Sequence, residues 1–129
     1  MILDSTFVHD VLRNDSDAIE QLVELRDSET SVALSALTVF EVGVGLRGES
    51  AQYRAEFDER IDELVVLPVT ETVARRAIAI QHDLLDQGQR IGARDVLIAG
   101  TAVGSQDPRV LTRNVDEFTR VNGLDVSGY

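Results

Sequence analysis

The sequence predicts an α/β protein, a three-layer α/β/α sandwich built on a mainly parallel sheet, with residues 1–129 forming a single domain. Three observations predict it. Short apolar runs alternate with longer segments of helical periodicity, the pattern of strands joined by crossover helices. The runs end on, or are flanked by, acids and hydroxyls, where open α/β sheets place their chemistry. Two helical segments, 38–47 and 95–103, have almost no polar face, so they pack inside a layered fold rather than on its surface.

The elements follow in order. Met1-Ile2-Leu3 opens the chain as a strand that reads as central and buried, closed by Asp4-Ser5-Thr6. Phe7 to Arg13 reads as a short helix, and Asn14-Asp15-Ser16 breaks it and caps a second helix reaching about Ser28. Ser31 to Ala36 is a second strand, Thr38 to Arg47 an apolar helix, and Ser50 to Leu64 a charged amphipathic one. Val65 to Val69 is a third strand, placed near a sheet edge by Pro68, which has no N–H for a ladder. Thr70 starts a long helix with Glu71 in its first turn, and Gly88 stops it. After a loop from Gln89 to Arg94 come a helix from Asp95 to about Val103, a strand Val110–Thr112, a short helix Asp116–Val121 and a last strand Leu124–Val126.

Composition narrows the function classes. The net charge is −11, from 23 acids against 12 bases, and every base is arginine. Such a surface repels itself at low salt, which predicts adaptation to a salty cytoplasm and a halophilic source. The charge disfavours membrane surfaces and broad electrostatic binding of nucleic acid, so a nucleic-acid partner must be held locally by arginine and metal. Without cysteine, disulfides and thiolate metal sites are excluded. No basic-then-apolar leader and no spanning run is present, which predicts a cytoplasmic protein that does not enter a membrane.

The candidate chemistry lies in acids at element ends. Asp4 closes the first strand, with Ser5 and Thr6 beside it to orient its carboxylate or cap the next helix. Glu41 is the one charge in Thr38–Leu46. By helical spacing its neighbours are Leu37, Thr38, Val44 and Gly45: two small residues that leave room for a ligand, and two that wall it from water. An isolated acid there needs a partner. Asp95 precedes an apolar helix and is either its N-cap or a site residue. Thr112 and Asn114 fall just past a strand, with Asp116 and Glu117 in the first turn of the next helix. Converging carboxylates repel unless a cation sits among them, and hard oxygen ligands suit Mg²⁺ or Mn²⁺. Such a site supports phosphodiester hydrolysis.

Four segments carry a resemblance. Ile2-Leu3-Asp4-Ser5-Thr6, Thr38-Val39-Phe40-Glu41, Ile91–Ala99 and Leu111–Phe118 resemble, in order and spacing, those of PIN-domain ribonucleases, and above all the VapC toxins of toxin–antitoxin pairs. The resemblance covers essentially the whole chain. It implies a magnesium-dependent endoribonuclease with Asp4 and Asp95 as metal ligands and Glu41 completing the pocket, through a water or by orienting the nucleophile. It also implies an RNA substrate, a cognate antitoxin and a homodimer, for which Phe7, Val8, Val42 and Leu46 offer apolar surface. Many members carry a fourth acid in the last segment; here Asn114 stands at that position, with Asp116 close by.

Rival readings rest on less. Gly43-Val44-Gly45-Leu46-Arg47-Gly48 matches a dinucleotide-binding fingerprint, yet its glycines fall at a helix end rather than opening one after a strand. A phospho-acceptor signalling domain would require a late lysine, and the chain has none. A catalytically inactive PIN-like interaction domain is opposed by the presence of Asp4, Glu41 and Asp95. His9 and His82 read as structural. Arg13, Arg47, Arg90, Arg94 and Arg113 lie near the expected mouth, either on RNA phosphate or paired with surface acids.

Overall fold

The computed structural model describes residues 1–129. Its five strands are β1 (Ile2–Leu3), β2 (Ala33–Ser35), β3 (Val65–Leu67), β4 (Arg109–Leu111) and β5 (Asp125–Ser127). They form one sheet in the order β3-β2-β1-β4-β5, and every pairing is parallel. The sequence reading expected a mainly parallel sheet. Pro68 follows β3, which is an edge strand as its position demands.

Parallel strands need crossovers, and seven helices supply them: α1 (Ser5–Leu12), α2 (Ser16–Asp27), α3 (Ala36–Gly45), α4 (Arg54–Asp62), α5 (Glu71–Asp86), α6 (Ala93–Val103) and α7 (Val115–Phe118). The two-residue side-chain period of the strands sorts the core into two faces. Ile2 and Val110, in register, pack with Ala77, Leu84, Ile98 and Ala102 of α5 and α6. Leu3 and Leu111, one residue on, pack with Phe7, Val11, Ala18 and Leu25 of α1 and α2. Leu12, Val42, Leu46 and Phe57 fill a third cluster among α1, α3 and α4. Phe7, Val42 and Leu46, expected to offer a dimer surface, are therefore buried in the core of this one chain.

Local signals explain the helix ends. Asp4 caps α1 by accepting from the Ser5 N–H, and Asp15 caps α2 by accepting from Ala18 at 3.1 Å. Thr70 caps α5 through Val73 at 3.2 Å, and Gly88 ends that helical stretch at φ 67°, a left-handed turn that favours glycine. α5 and α6 approach closely because Gly100 lacks a Cβ, which would stand 3.2 Å from the Val73 carbonyl oxygen. The amphipathic stretch 50–64 is not one helix. A 3-10 turn, Gly48–Tyr53, which Gly48 opens at φ 60°, precedes α4. No helix is long and apolar enough to cross a membrane.

Candidate active site

The strand order places the site. From β1 the chain winds outward to β2 and β3, then returns to the other side of β1 as β4. The crevice at the carboxyl ends of β1 and β4 is the switch point at which open parallel sheets bind ligands. Asp4 follows β1 and Thr112 follows β4, so adjacent strands deliver both to that crevice. The Asp4 N–H donates to the Leu111 carbonyl at 3.0 Å and fixes the juxtaposition.

Asp4 is 2% exposed and heavily hydrogen-bonded. Its Oδ1 accepts from the Ser5 N–H at 2.7 Å and more weakly from the Ser5 hydroxyl at 3.4 Å. Its Oδ2 accepts from the Thr6 hydroxyl at 3.0 Å and the Thr112 hydroxyl at 2.7 Å. Thr112, fully buried, also accepts from the Asn114 N–H at 2.9 Å. Asn114 stands at the N-cap of α7 but makes no side-chain cap bond. Its carboxamide instead donates to Asp95 Oδ2 at 3.0 Å. One hydrogen-bonded path thus runs from Asp4 through Thr112 and Asn114 to Asp95.

Asp95 is not the N-cap of its helix. Gly92 takes that position with no side-chain bond, so Asp95 is the third residue of α6. Its carboxyl is pushed up to about 7, first by burial, then by the negative charges of Asp4, Glu117 and Glu41. Glu117 is thus the acid of α7 that acts on Asp95. It was not singled out from sequence, where Asp116 was. Asp116 is exposed to solvent, and Thr119 is the residue that bonds its carbonyl. The signal for Glu117 was its i+3 spacing from Asn114, which puts the two on one helix face.

Glu41 projects from α3 with its side chain 14% exposed. Its Oε1 is buried with no hydrogen-bond partner, and its Oε2 lies 3.6 Å from the Arg94 guanidinium. Burial raises its carboxyl above the ordinary range, Arg94 opposes the rise and the Asp4 charge adds to it. The surroundings differ from those expected. Thr38 is fully buried with its hydroxyl unpartnered, Gly45 faces His9, and Val44 is exposed rather than walling off water. Arg113 is turned toward surface acids, so of the expected arginines Arg94 is the one ion-paired with a site acid.

Which cation would these residues suit? The donors are all hard oxygens, as Mg²⁺ and Mn²⁺ prefer. The partnerless Oε1 of Glu41 and the repulsion raising Asp95 are both features that a cation among them would relieve. The donor chemistry therefore fits a divalent ion. The carboxylates are not drawn together on a common point, for no three His, Asp or Glu side chains stand close enough to hold a metal ion.

Residues 1–124 match the PIN domain family. The chain belongs to that family. It is 33% identical over 118 residues to ribonuclease VapC19 of Mycobacterium tuberculosis, a match spanning 91% of this chain and 90% of the relative. Among solved structures, VapBC2 from Rickettsia felis bound to a promoter DNA fragment superimposes with a TM-score of 0.85 at 19% identity, covering 99% of this chain and 97% of that one. DNA-bound VapBC from Salmonella typhimurium gives a TM-score of 0.84 at 25% identity, covering 98% and 96%. The PIN fold of this chain is thus shared along essentially its whole length. The glycines Gly43 and Gly45 close α3 instead of opening a helix after a strand, so the dinucleotide fingerprint has no phosphate-cradling turn.

Proposed function

We propose that this PIN domain is a magnesium-dependent endoribonuclease, with Mn²⁺ as an alternative ion, acting as the toxin of a toxin–antitoxin pair. The observation that carries the reading is the hydrogen-bonded path from Asp4 through Thr112 and Asn114 to Asp95, together with a Glu41 whose buried Oε1 has no partner. The likeness to ribonuclease VapC19 supports RNA as the polymer.

In this reading Asp4 and Asp95 would hold the cation, with Glu41 completing the pocket. A bound divalent ion supplies Lewis-acid chemistry, neutralising charge on the phosphoryl oxygens and lowering the pKa of a water. The chain's own residues do the rest. Ser5, Thr6 and Thr112 keep the Asp4 carboxylate in one orientation. Asn114 orients Asp95. Asn114 fills the fourth position as a neutral donor, and Glu117, not Asp116, brings the fourth carboxylate near Asp95. Glu41, whose Oε1 has no protein partner, orients the attacking water and takes its proton. Arg94, two-thirds exposed, leaves Glu41 to meet a substrate phosphate.

The partner is an antitoxin protein, as the VapBC pairs of similar fold suggest. A groove of about 240 Å³ between α1, α2 and α4, lined by Val8, Leu22, Leu25, Phe57, Ile61 and Leu64, offers it a mostly apolar surface. A homodimer would use Phe40 and Val44, which are 60% and 59% exposed one turn apart on α3. Light scattering at micromolar concentration in molar salt tests the dimer, and a monomer refutes it.

The deciding experiment is cleavage of total RNA by the purified protein with magnesium against EDTA. Cleavage that magnesium restores after EDTA supports the reading. Absence of cleavage with both magnesium and manganese, across total RNA, would favour an inactive interaction domain.

A further inference from the structure

Arg113 stands between two residues of the crevice. Thr112 before it donates to Asp4, and Asn114 after it donates to Asp95. Its own N–H donates at 3.1 Å to the Thr6 hydroxyl, which in turn donates to Asp4. Three consecutive residues therefore engage the acids or the groups that hold them, so a shift of the segment would strain or break bonds to both carboxylates.

The Arg113 side chain points the other way, into a clamp. Nε donates to Asp10 Oδ2 at 2.7 Å, and Nη2 donates to Asp15 Oδ1 at 2.8 Å. The guanidinium carbon lies 4.4 Å from the centre of the Tyr129 ring. The Tyr129 hydroxyl donates to the same Asp10 oxygen at 2.8 Å, and its ring meets Phe7 edge-on at 5.1 Å. Asp10 belongs to α1, and Asp15 caps α2. The fork thus ties the β4–α7 turn to two helices of the opposite layer. Burial works against ionisation of Asp10, yet hydrogen bonds from Arg113 and Tyr129 hold its carboxyl below the usual range.

We propose that Arg113, clamped by Asp10, Asp15 and Tyr129, is a positioning residue that sets the relative placement of Asp4 and Asp95. An exposed ion pair by itself contributes little, but a forked, stacked network of several charges holds geometry. The proposal rests on the nuclease reading for its kinetic readout and on the hydrogen-bond geometry for the other.

The test compares wild type with Arg113→Gln, Arg113→Lys and Asp10→Asn. The first readout is the Asn114 side-chain amide in ¹H–¹⁵N spectra recorded in EDTA. Bonding to Asp95 separates that pair of protons from those of free asparagine. In Arg113→Gln it should move toward the free position, with the other amide dispersion kept. The second is kinetics on RNA with magnesium: kcat should fall roughly ten- to a hundred-fold, as for a small misplacement, while KM stays within about two-fold. Arg113→Lys keeps the charge without the fork and should recover melting temperature but not kcat. If Arg113→Gln does not fold, Asp10→Asn, which leaves every crevice residue in place, should show the same two changes. Unchanged Asn114 signals and unchanged kcat in the folded variants would overturn the proposal and leave a surface ion pair. Should wild type cleave no RNA, the nuclease reading fails while the Asn114 signal still decides the positioning.

Discussion

Two corners of the crevice treat their acids in opposite ways. At the β1–β4 corner, Asp4 is almost fully buried and accepts from one backbone N–H and three hydroxyls. At the α3–α6 corner, Glu41 and Asp95 are less buried but worse supplied. Asp95 accepts from Asn114, and Glu41 has only a 3.6 Å approach from an exposed arginine. Burial raises both of their carboxyls, and neighbouring acids add to it. Burial with donors makes a fixed post, whereas burial without donors leaves a carboxylate whose charged form is disfavoured.

That contrast breaks most visibly through mutation. Asp4→Ala would strand the hydroxyls of Thr6 and Thr112 and uncap α1. We expect loss of RNA cleavage and a stability loss of about 2–4 kcal/mol by urea unfolding, the range for stranded buried donors together with a lost cap. Asp95→Asn should also lose cleavage, but with the opposite sign on stability: in EDTA it should gain roughly 0.5–2 kcal/mol, because it relieves repulsion at a site held for function. If both variants destabilise alike, the two corners are not different in kind.

The pH dependence sharpens the comparison. A carboxyl whose value is raised on folding holds more protons in the folded state, so its contribution is favourable at low pH and is lost as pH rises. For Asp95 that loss runs from the ordinary aspartate value near 3.8 to about 7. Asp10 and Asp107 are lowered, Asp107 strongly, by Arg113 and Arg109 respectively, against the burial each also feels. Their contributions stand above the ordinary carboxylate range and are lost as pH falls below it. The metal-free protein should therefore melt highest near the lower edge of this window and lose about 3–6 °C toward neutrality. Asp95→Asn should flatten that decline, whereas a maximum at neutral pH would contradict it.

The smallest effect concerns the surface. With −11 net charge and no lysine, long-range repulsion should be screened within about 3 Å in molar KCl. Melting temperature should rise modestly from low to molar KCl. A flat or falling curve would show that the acidity is not a salt adaptation.

Much of this was legible in the sequence because strands and caps announce themselves locally. Asp15, Thr70, Gly88 and Pro68 act where local chemistry says they should. The misreadings share a cause: they turn on register or on tertiary contact. Ala93 and Arg94 join α6, so Asp95 moves from the cap into the first turn and its side chain toward Asn114. In the four-residue α7, one position is about a 100° rotation, enough to turn Glu117 inward and Asp116 out. Phe7, Val42 and Leu46 read as spare apolar surface because nothing local reveals the cluster that α1, α3 and α4 build.

The most direct measurement is a set of four melting curves, wild type and Asp95→Asn, each in magnesium and in EDTA at fixed KCl. A cation held by the crevice stabilises the folded state by mass action. Magnesium should raise the wild-type melting temperature, Asp95→Asn should melt higher than wild type in EDTA, and magnesium should barely shift the variant. If Asp95→Asn melts lower in EDTA and magnesium shifts both proteins equally, Asp95 is a structural group and the acidic crevice is not a metal site.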